Sequence, residues 1–225
     1  MLLAIDTATR MISLAVHDGT RLIAESSWET ANYHTVELAP AVRAMLARAS
    51  VEIPHLRAVA VALGPGSFTG LRIGLGLAKG LATARDMRLI GVPTLDILAS
   101  GQPRRRERLV AVLEAGRGRI CAQQFCWRED AWTPQDEPAI TTWDALLDGI
   151  DQEALVSGEI DAEGAHRLQA AITAGKPLTV APAAERLRRA GYLAELAWAR
   201  LRRGQSDDPY TLVPVYLHQP GIPHP

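Results

Sequence analysis

The chain is 225 residues long, 48% hydrophobic, with 24 Lys and Arg against 25 Asp and Glu, a net charge of −1 and two cysteines. That length exceeds one small domain and suits two compact units with a sizeable core. Near-zero charge excludes a bulk positive field for RNA or an anionic membrane, and no apolar run reaches the length of a membrane span, so any nucleic-acid contact must be local or made by a partner.

Met1 to Ile5 is an apolar run without a basic lead, so a cytoplasmic protein is expected. Ile12, Leu14 and Val16 alternate with Ser13, Ala15 and His17, and Asp18-Gly19 supplies a two-residue turn into a strand over Leu22 to Ser27. Three consecutive strands follow from this, the last two antiparallel. Leu38, Val42, Met45, Leu46 and Ala49 recur at helical spacing, with Pro40 required to fall in the first turn or to kink the helix. Ala58 to Leu63 reads as a buried strand that stops at Gly64-Pro65-Gly66.

Ser67 then serves as an N-cap and Phe68 opens a long helix through Ala84. Only Arg72, Gly76, Lys79 and Thr83 share a narrow polar sector, so the helix must be covered on more than one side. Gly70, Gly74 and Ala78, four apart, make a groove without side chains. Each glycine costs roughly 1 kcal/mol of helix propensity relative to alanine, so the groove needs a packing reason. Either it packs on the protein's own sheet or it meets a helix of a second protein; in the second case a leucine at Gly74 would spare folding and abolish the partner.

Leu89 to Val92 is a short buried strand, and Pro93-Thr94 starts a helix through Ala99. Gly101-Gln102-Pro103 before Arg104-Arg105-Arg106 is the expected boundary between domains 1–103 and 104–225, with the arginines read as a solvated run. Strands at Leu109 to Leu113, Ile120 to Trp127, Ala154 to Ser157 and Leu178 to Ala181 are expected beyond it. Helices are expected near Trp143 to Leu147 and Ala162 to Ile172. Cys121 and Cys126, five apart in a strand, point to opposite faces and should not pair. Leu187, Ala190, Ala194, Ala197, Trp198 and Leu201 mark one face of a last helix, and the tail through Pro225 should be extended. The fold class is α/β, and three strands, helix, strand, helix, strand is the order of one ribonuclease H-like half of an actin-like ATPase.

Motifs for chemistry are mostly missing. A phosphate loop needs its second glycine five after the first, followed by lysine; from Gly64 that position is Thr69, and no lysine follows until Lys79. The dinucleotide and nucleophile-elbow patterns fail as well, although the amides at a helix start can hold an anion weakly. Six histidines form no HxxxH or HExxH pair, so no metal site is expected.

The string GPGSFTGLRIGL at 64–75, with Ile5-Asp6-Thr7 before it and Pro214-Val215-Tyr216-Leu217 after it, resembles the TsaB (YeaZ) family of bacterial tRNA threonylcarbamoyladenosine biosynthesis proteins. The resemblance implies two ribonuclease H-like halves of an actin-like ATPase (ASKHA) fold, the second reduced. It implies a non-catalytic scaffold subunit that pairs with a TsaD-type protein, which transfers threonylcarbamoyl to the adenosine beside the tRNA anticodon. A TsaE-type ATPase joins the pair, the chain is a homodimer when alone, and tRNA is met only through the complex. The partner interface is then expected along Phe68, Gly70, Leu71, Arg72, Gly74, Leu75 and Ala78, with no catalytic residue in this chain.

Asp6-Thr7 ends the first strand, where an actin-like ATPase carries the aspartate that holds magnesium-bound water. The turn Ala8-Thr9-Arg10 has no glycine to bring amides to a phosphate. The second-half counterpart is expected at Ser157-Gly158-Glu159, where the acid repels phosphate. Asp6, Thr7 and Ser67 are thus expected as vestigial cofactor-binding positions, with no resident cofactor and a nucleotide at the heterodimer interface left open. The family's usual Asp-Ala-Arg is replaced here by Glu114-Ala115-Gly116. The competing readings are a self-sufficient ATPase or kinase of the same fold, which needs glycine-bearing phosphate turns, a peptidase, which needs metal-binding histidines, and a purely structural homodimer.

Overall fold

β1 (Leu2–Asp6) is buried along its whole length because strands flank it on both sides and helices cover both faces. It pairs antiparallel with β2 (Met11–His17) and parallel with β4 (Ala58–Ala62). β3 (Leu22–Glu29) and β5 (Arg88–Val92) complete the order β3-β2-β1-β4-β5. The structure, a computed structural model, describes residues 1–31 and 33–217, so the end of the expected tail, from His218, lies outside the described residues.

The two faces of this sheet differ in side-chain size. Leu3, Ile5, Leu14, Val59 and Val61 pack under α1 (His34–Arg48) and α2 (Phe68–Arg85), each fully buried aliphatic contributing on the order of 2 kcal/mol. The opposite face presents Ala4, Ala15, Ala58, Ala60 and Ala62 to Ala190, Ala194 and Ala197 of α6 (Ala190–Arg202). Small residues on both sides let the helix lie close to the sheet, and dense contact replaces bulk.

That packing overturns the expected domain boundary. The first unit comprises 1–97 and 188–215, and the second 98–187 with 216–217 of the described residues. The last helix was expected in the second domain, but its apolar stripe fits the alanine face of the first sheet. The division falls inside α3 (Thr94–Ser100), ahead of the Gly101-Gln102-Pro103 break. Two local expectations also change. The β2–β3 loop spans four residues, Asp18 to Arg21, because Asp18 Oδ1 accepts from both Thr20 N and Arg21 N. Pro40 sits in the second turn of α1, where the carbonyl it leaves unbonded belongs to exposed Val36 and is open to water.

The second unit repeats the topology. β6 (Arg108–Gly116) is central, with β7 (Arg119–Arg128) and then β8 (Ala131–Pro134) antiparallel on one side. β10 (Ala154–Gly158) and then β11 (Leu178–Val180) lie parallel on the other. β9 (Ala139–Thr141) adds to β7. Neither β8 nor β9 was expected, since three or four residues are too few to show alternation. α4 (Trp143–Asp148) and α5 (Ala162–Thr173) bring Trp143, Leu147 and Leu168 onto Val110, Val112 and Val156. Two α/β units of one topology make the actin-like fold, with the second reduced in its helices.

The repeat also corrects an assignment. β6 corresponds to β1, so the counterpart of the Asp6 turn is the Glu114-Ala115-Gly116 turn; Ser157-Gly158 ends β10 and corresponds to the end of β4. Both cysteines are free, and burial pushes the Cys121 thiol up to about 12.

Candidate functional site

The turn that joins β1 to β2 is held by three other segments of the first unit. Asp6 Oδ1 accepts from Ala8 N at 2.9 Å, and Asp6 Oδ2 accepts from Arg188 Nε at 2.5 Å. Arg188 Nη2 donates to Thr9 Oγ1 at 3.0 Å, and His34 Nε2 donates to the Thr9 carbonyl at 2.8 Å. Ser67 N donates to the Ala8 carbonyl at 2.6 Å, and Thr7 Oγ1 donates to the Gly70 carbonyl at 2.8 Å. Asp6 and Arg188 are both buried, so each charge depends on the other for compensation.

This geometry gives the expected cofactor positions internal work. A phosphate-binding turn needs amides that face outward. Here the Ala8 amide is taken by Asp6, and the carbonyls of Ala8 and Thr9 accept from the chain itself. The guanidinium of Arg188 is the cation at Asp6. Ser67 Oγ caps α2 through Gly70 N at 3.2 Å. Asp6, Thr7 and Ser67 are therefore brought together, but as mutual supports of one turn and one helix start.

The glycines of α2 are explained by the same turn. A Cβ added at Gly70 would be driven into the Thr7 carbonyl, and one at Gly74 into the Thr7 hydroxyl. Ala78, Leu71 and Leu75 are buried in the protein's own core. The expected interface row of Gly70, Gly74 and Ala78, together with Leu71 and Leu75, thus faces inward: the helix must approach β1 and its turn more closely than side chains allow. Of the expected interface residues only Phe68 and Arg72 reach the surface.

A different row is open. Phe68, Arg72, Gly76 and Gly80 follow one another at intervals of four on the exposed side of α2, and a Cβ at Gly76 or Gly80 would meet nothing within 4 Å. Phe68 is 54% exposed, with the Arg72 guanidinium 3.7 Å above its ring centroid. Ile73 and Leu77 are half-buried beside the row, and the neighbouring helix α1 carries exposed Tyr33 at its N-cap and exposed Val36 in its first turn. Nothing among the described residues accounts for the propensity lost at Gly76 and Gly80. The sequence signal was the presence of Gly76 in the polar sector of the helix. For Arg188 there was none, since an arginine in an arginine-rich stretch reads as solvated.

Comparison with known proteins agrees with the motif. Residues 28–220 match the family model described as TsaD, tRNA N6-adenosine threonylcarbamoyltransferase. The tRNA threonylcarbamoyladenosine biosynthesis protein TsaB of Escherichia coli (strain K12) is 33% identical over 163 residues, covering 70% of this chain and 68% of that protein. The chain belongs to the TsaB (YeaZ) family. The family's protein from Bacillus subtilis (strain 168) is 27% identical over 219 residues, 96% of this chain and 93% of the relative. The solved structure of YeaZ from Pseudomonas aeruginosa superposes with a TM-score of 0.75 at 26% identity, covering 96% of this chain and 99% of that one. Among the described residues no helix is long and apolar enough to cross a membrane, and no three His, Cys, Asp or Glu side chains group to hold a metal ion.

Proposed function

We propose that this chain is a non-catalytic partner and scaffold subunit in cytoplasmic tRNA threonylcarbamoyladenosine biosynthesis, pairing with a TsaD-type transferase. TsaB relatives supply the pathway, and the match to the transferase's family model supports a partner of related fold. The observation that carries the non-catalytic reading is the closed Asp6 turn, whose carboxylate, Ala8 amide and Thr7 hydroxyl are already bonded within the chain. A nucleotide would have to break a buried ion pair to enter, a loss that costs about 3–5 kcal/mol.

The partner face in this reading is the exposed side of α2 with the start of α1. Phe68 and Arg72 are aromatic and arginine anchors of the kind that dominate interfaces, and Gly76 and Gly80 admit a second helix at short range. Two chains of related fold can meet through equivalent faces, so the same surface serves a homodimer when the transferase is absent. A TsaE-type ATPase and the tRNA join only the assembled complex.

The test is co-expression with a TsaD-type protein, mass measurement of the purified complex, and assay of each component for tRNA modification. A heterodimer is expected, with transfer activity only when the transferase is present and no ATP turnover by this chain alone. Steady ATP hydrolysis by the isolated chain that disappears in Asp6→Ala would sink the non-catalytic reading.

A further inference from the structure

The second unit contains a cavity of about 210 Å³ between its sheet and α4, lined by residues of that unit. Val110, Ala122, Leu146 and Ile150 form an apolar floor and wall. The polar lining includes one cation, Arg108, and two carboxylates, Asp136 and Asp151. Among the described residues the Arg108 side chain makes a single long hydrogen bond, 3.4 Å from Nη1 to Gln124 Oε1, and pairs with no carboxylate. Its remaining donors and the Gln124 side-chain amide nitrogen have no partner among the described residues. Asp136 Oδ1 accepts from Gln124 N at 2.8 Å, which fixes that carboxylate beside the same strand.

We propose that this cavity is a binding site for a free α-amino acid with a short aliphatic side chain. Unspent donors on Arg108 and Gln124 suit a carboxylate, which a guanidinium binds in a two-pronged manner. Asp136 and Asp151 suit an ammonium group, and the apolar floor takes the side chain. The volume lies below the range of drug-sized ligands, which points to a small metabolite. Charge narrows the class further. One guanidinium against two carboxylates repels a phosphate dianion, while a zwitterion satisfies both signs. The inference is independent of the partner role proposed above, since it uses neither α1 nor α2.

The experiment is titration of the isotope-labelled full chain, followed by amide shifts, with three probes: L-valine, isobutyrate, which lacks the ammonium, and isobutylamine, which lacks the carboxylate. Valine is expected to shift residues of β7 and α4 saturably, with a Kd on the order of 1 mM. Each single-charge analogue should bind at least about tenfold more weakly, since it forgoes the charge-assisted hydrogen bonds at one end of the site. Arg108→Gln should lose valine binding. Ala122→Leu, which fills the floor while leaving every charge in place, should lose it too with the rest of the spectrum unchanged. No saturable shift up to about 50 mM valine, equal binding of isobutyrate, or undiminished binding by both variants would each overturn the proposal.

Discussion

Arg188 and Asp6 are 182 residues apart in sequence and joined at 2.5 Å from Nε to Oδ2, with both side chains withdrawn from water. The bond ties the start of α6's segment to the end of β1 and fixes the turn on which α2 rests. Removing one partner strands the other charge in a buried site, which costs about 3–5 kcal/mol. Arg188→Met is therefore expected to lower the thermal midpoint by roughly 6–20 °C. The double variant Asp6→Leu/Arg188→Met should recover part of that loss, because no charge remains to be compensated although the Ala8 amide loses its acceptor. A single variant within about 1 kcal/mol of the parent in denaturant unfolding would show that the pair is not holding the turn.

The glycines of α2 act at two different surfaces. At Gly74 an alanine gains up to ~1 kcal/mol of helix propensity but drives its Cβ into the Thr7 hydroxyl, whose proton is committed to the Gly70 carbonyl. The hydroxyl must move, and its buried hydrogen bond to the Gly70 carbonyl is lost, so Gly74→Ala is expected to destabilise by on the order of 2 kcal/mol net. Gly74→Leu should fail to fold, which reverses the expectation that folding would survive there. Urea unfolding of the two variants decides it, and parent-like midpoints would mean that the helix can move off the turn.

Much of the fold was legible because periodicity reports burial. The alternation at Ile12, Leu14 and Val16, the apolar run Ala58 to Leu63 and the Ser67 cap became β2, β4 and the start of α2 with small shifts at their ends. What was not legible depends on which faces meet. The alanines of β4 could have served either of two helices, and only the closed fold shows that α6 takes them. The Gly70-Gly74-Ala78 row was correctly read as a groove, yet a groove does not carry the identity of its occupant. That occupant, the Thr7 to Thr9 turn, lies more than 60 residues earlier. Arg188 was invisible for the same reason: its meaning comes from Asp6.

Asp96, in the first turn of α3, introduces a pH dependence. Burial raises its carboxyl from the ordinary 3.8 to about 6. Between about pH 4 and 6 the folded chain holds this proton while the unfolded chain has lost it, so stability falls as pH rises through that window. Above pH 6 the whole penalty, about 3 kcal/mol at most, is present. Asp96→Asn should therefore be more stable than the parent at pH 7.5, and the gap should close as pH falls towards 4. Thermal scans at both pH values test this; a gap that grows on acidification would contradict burial as the cause.

Gly76 and Gly80 separate folding from binding. With nothing within 4 Å of an added Cβ, alanine at both sites carries no steric cost inside the chain and restores helix propensity of roughly 1 kcal/mol per site. Gly76→Ala/Gly80→Ala should raise the thermal midpoint by several degrees, about 4–8 °C. Leucine at both sites keeps most of that gain, because the side chains extend from an exposed helix face. If a partner helix packs there at an interaxial distance of roughly 8 Å, the two leucines push it away and forfeit contact over the whole patch. A loss on the order of a hundredfold in affinity is then expected, near 3 kcal/mol. Gly76→Leu/Gly80→Leu should therefore unfold at or above the parent's temperature and yet fail to co-elute with a TsaD-type protein in size-exclusion chromatography. Normal co-elution by a stable double-leucine variant would place the partner face elsewhere and leave both glycines without a role.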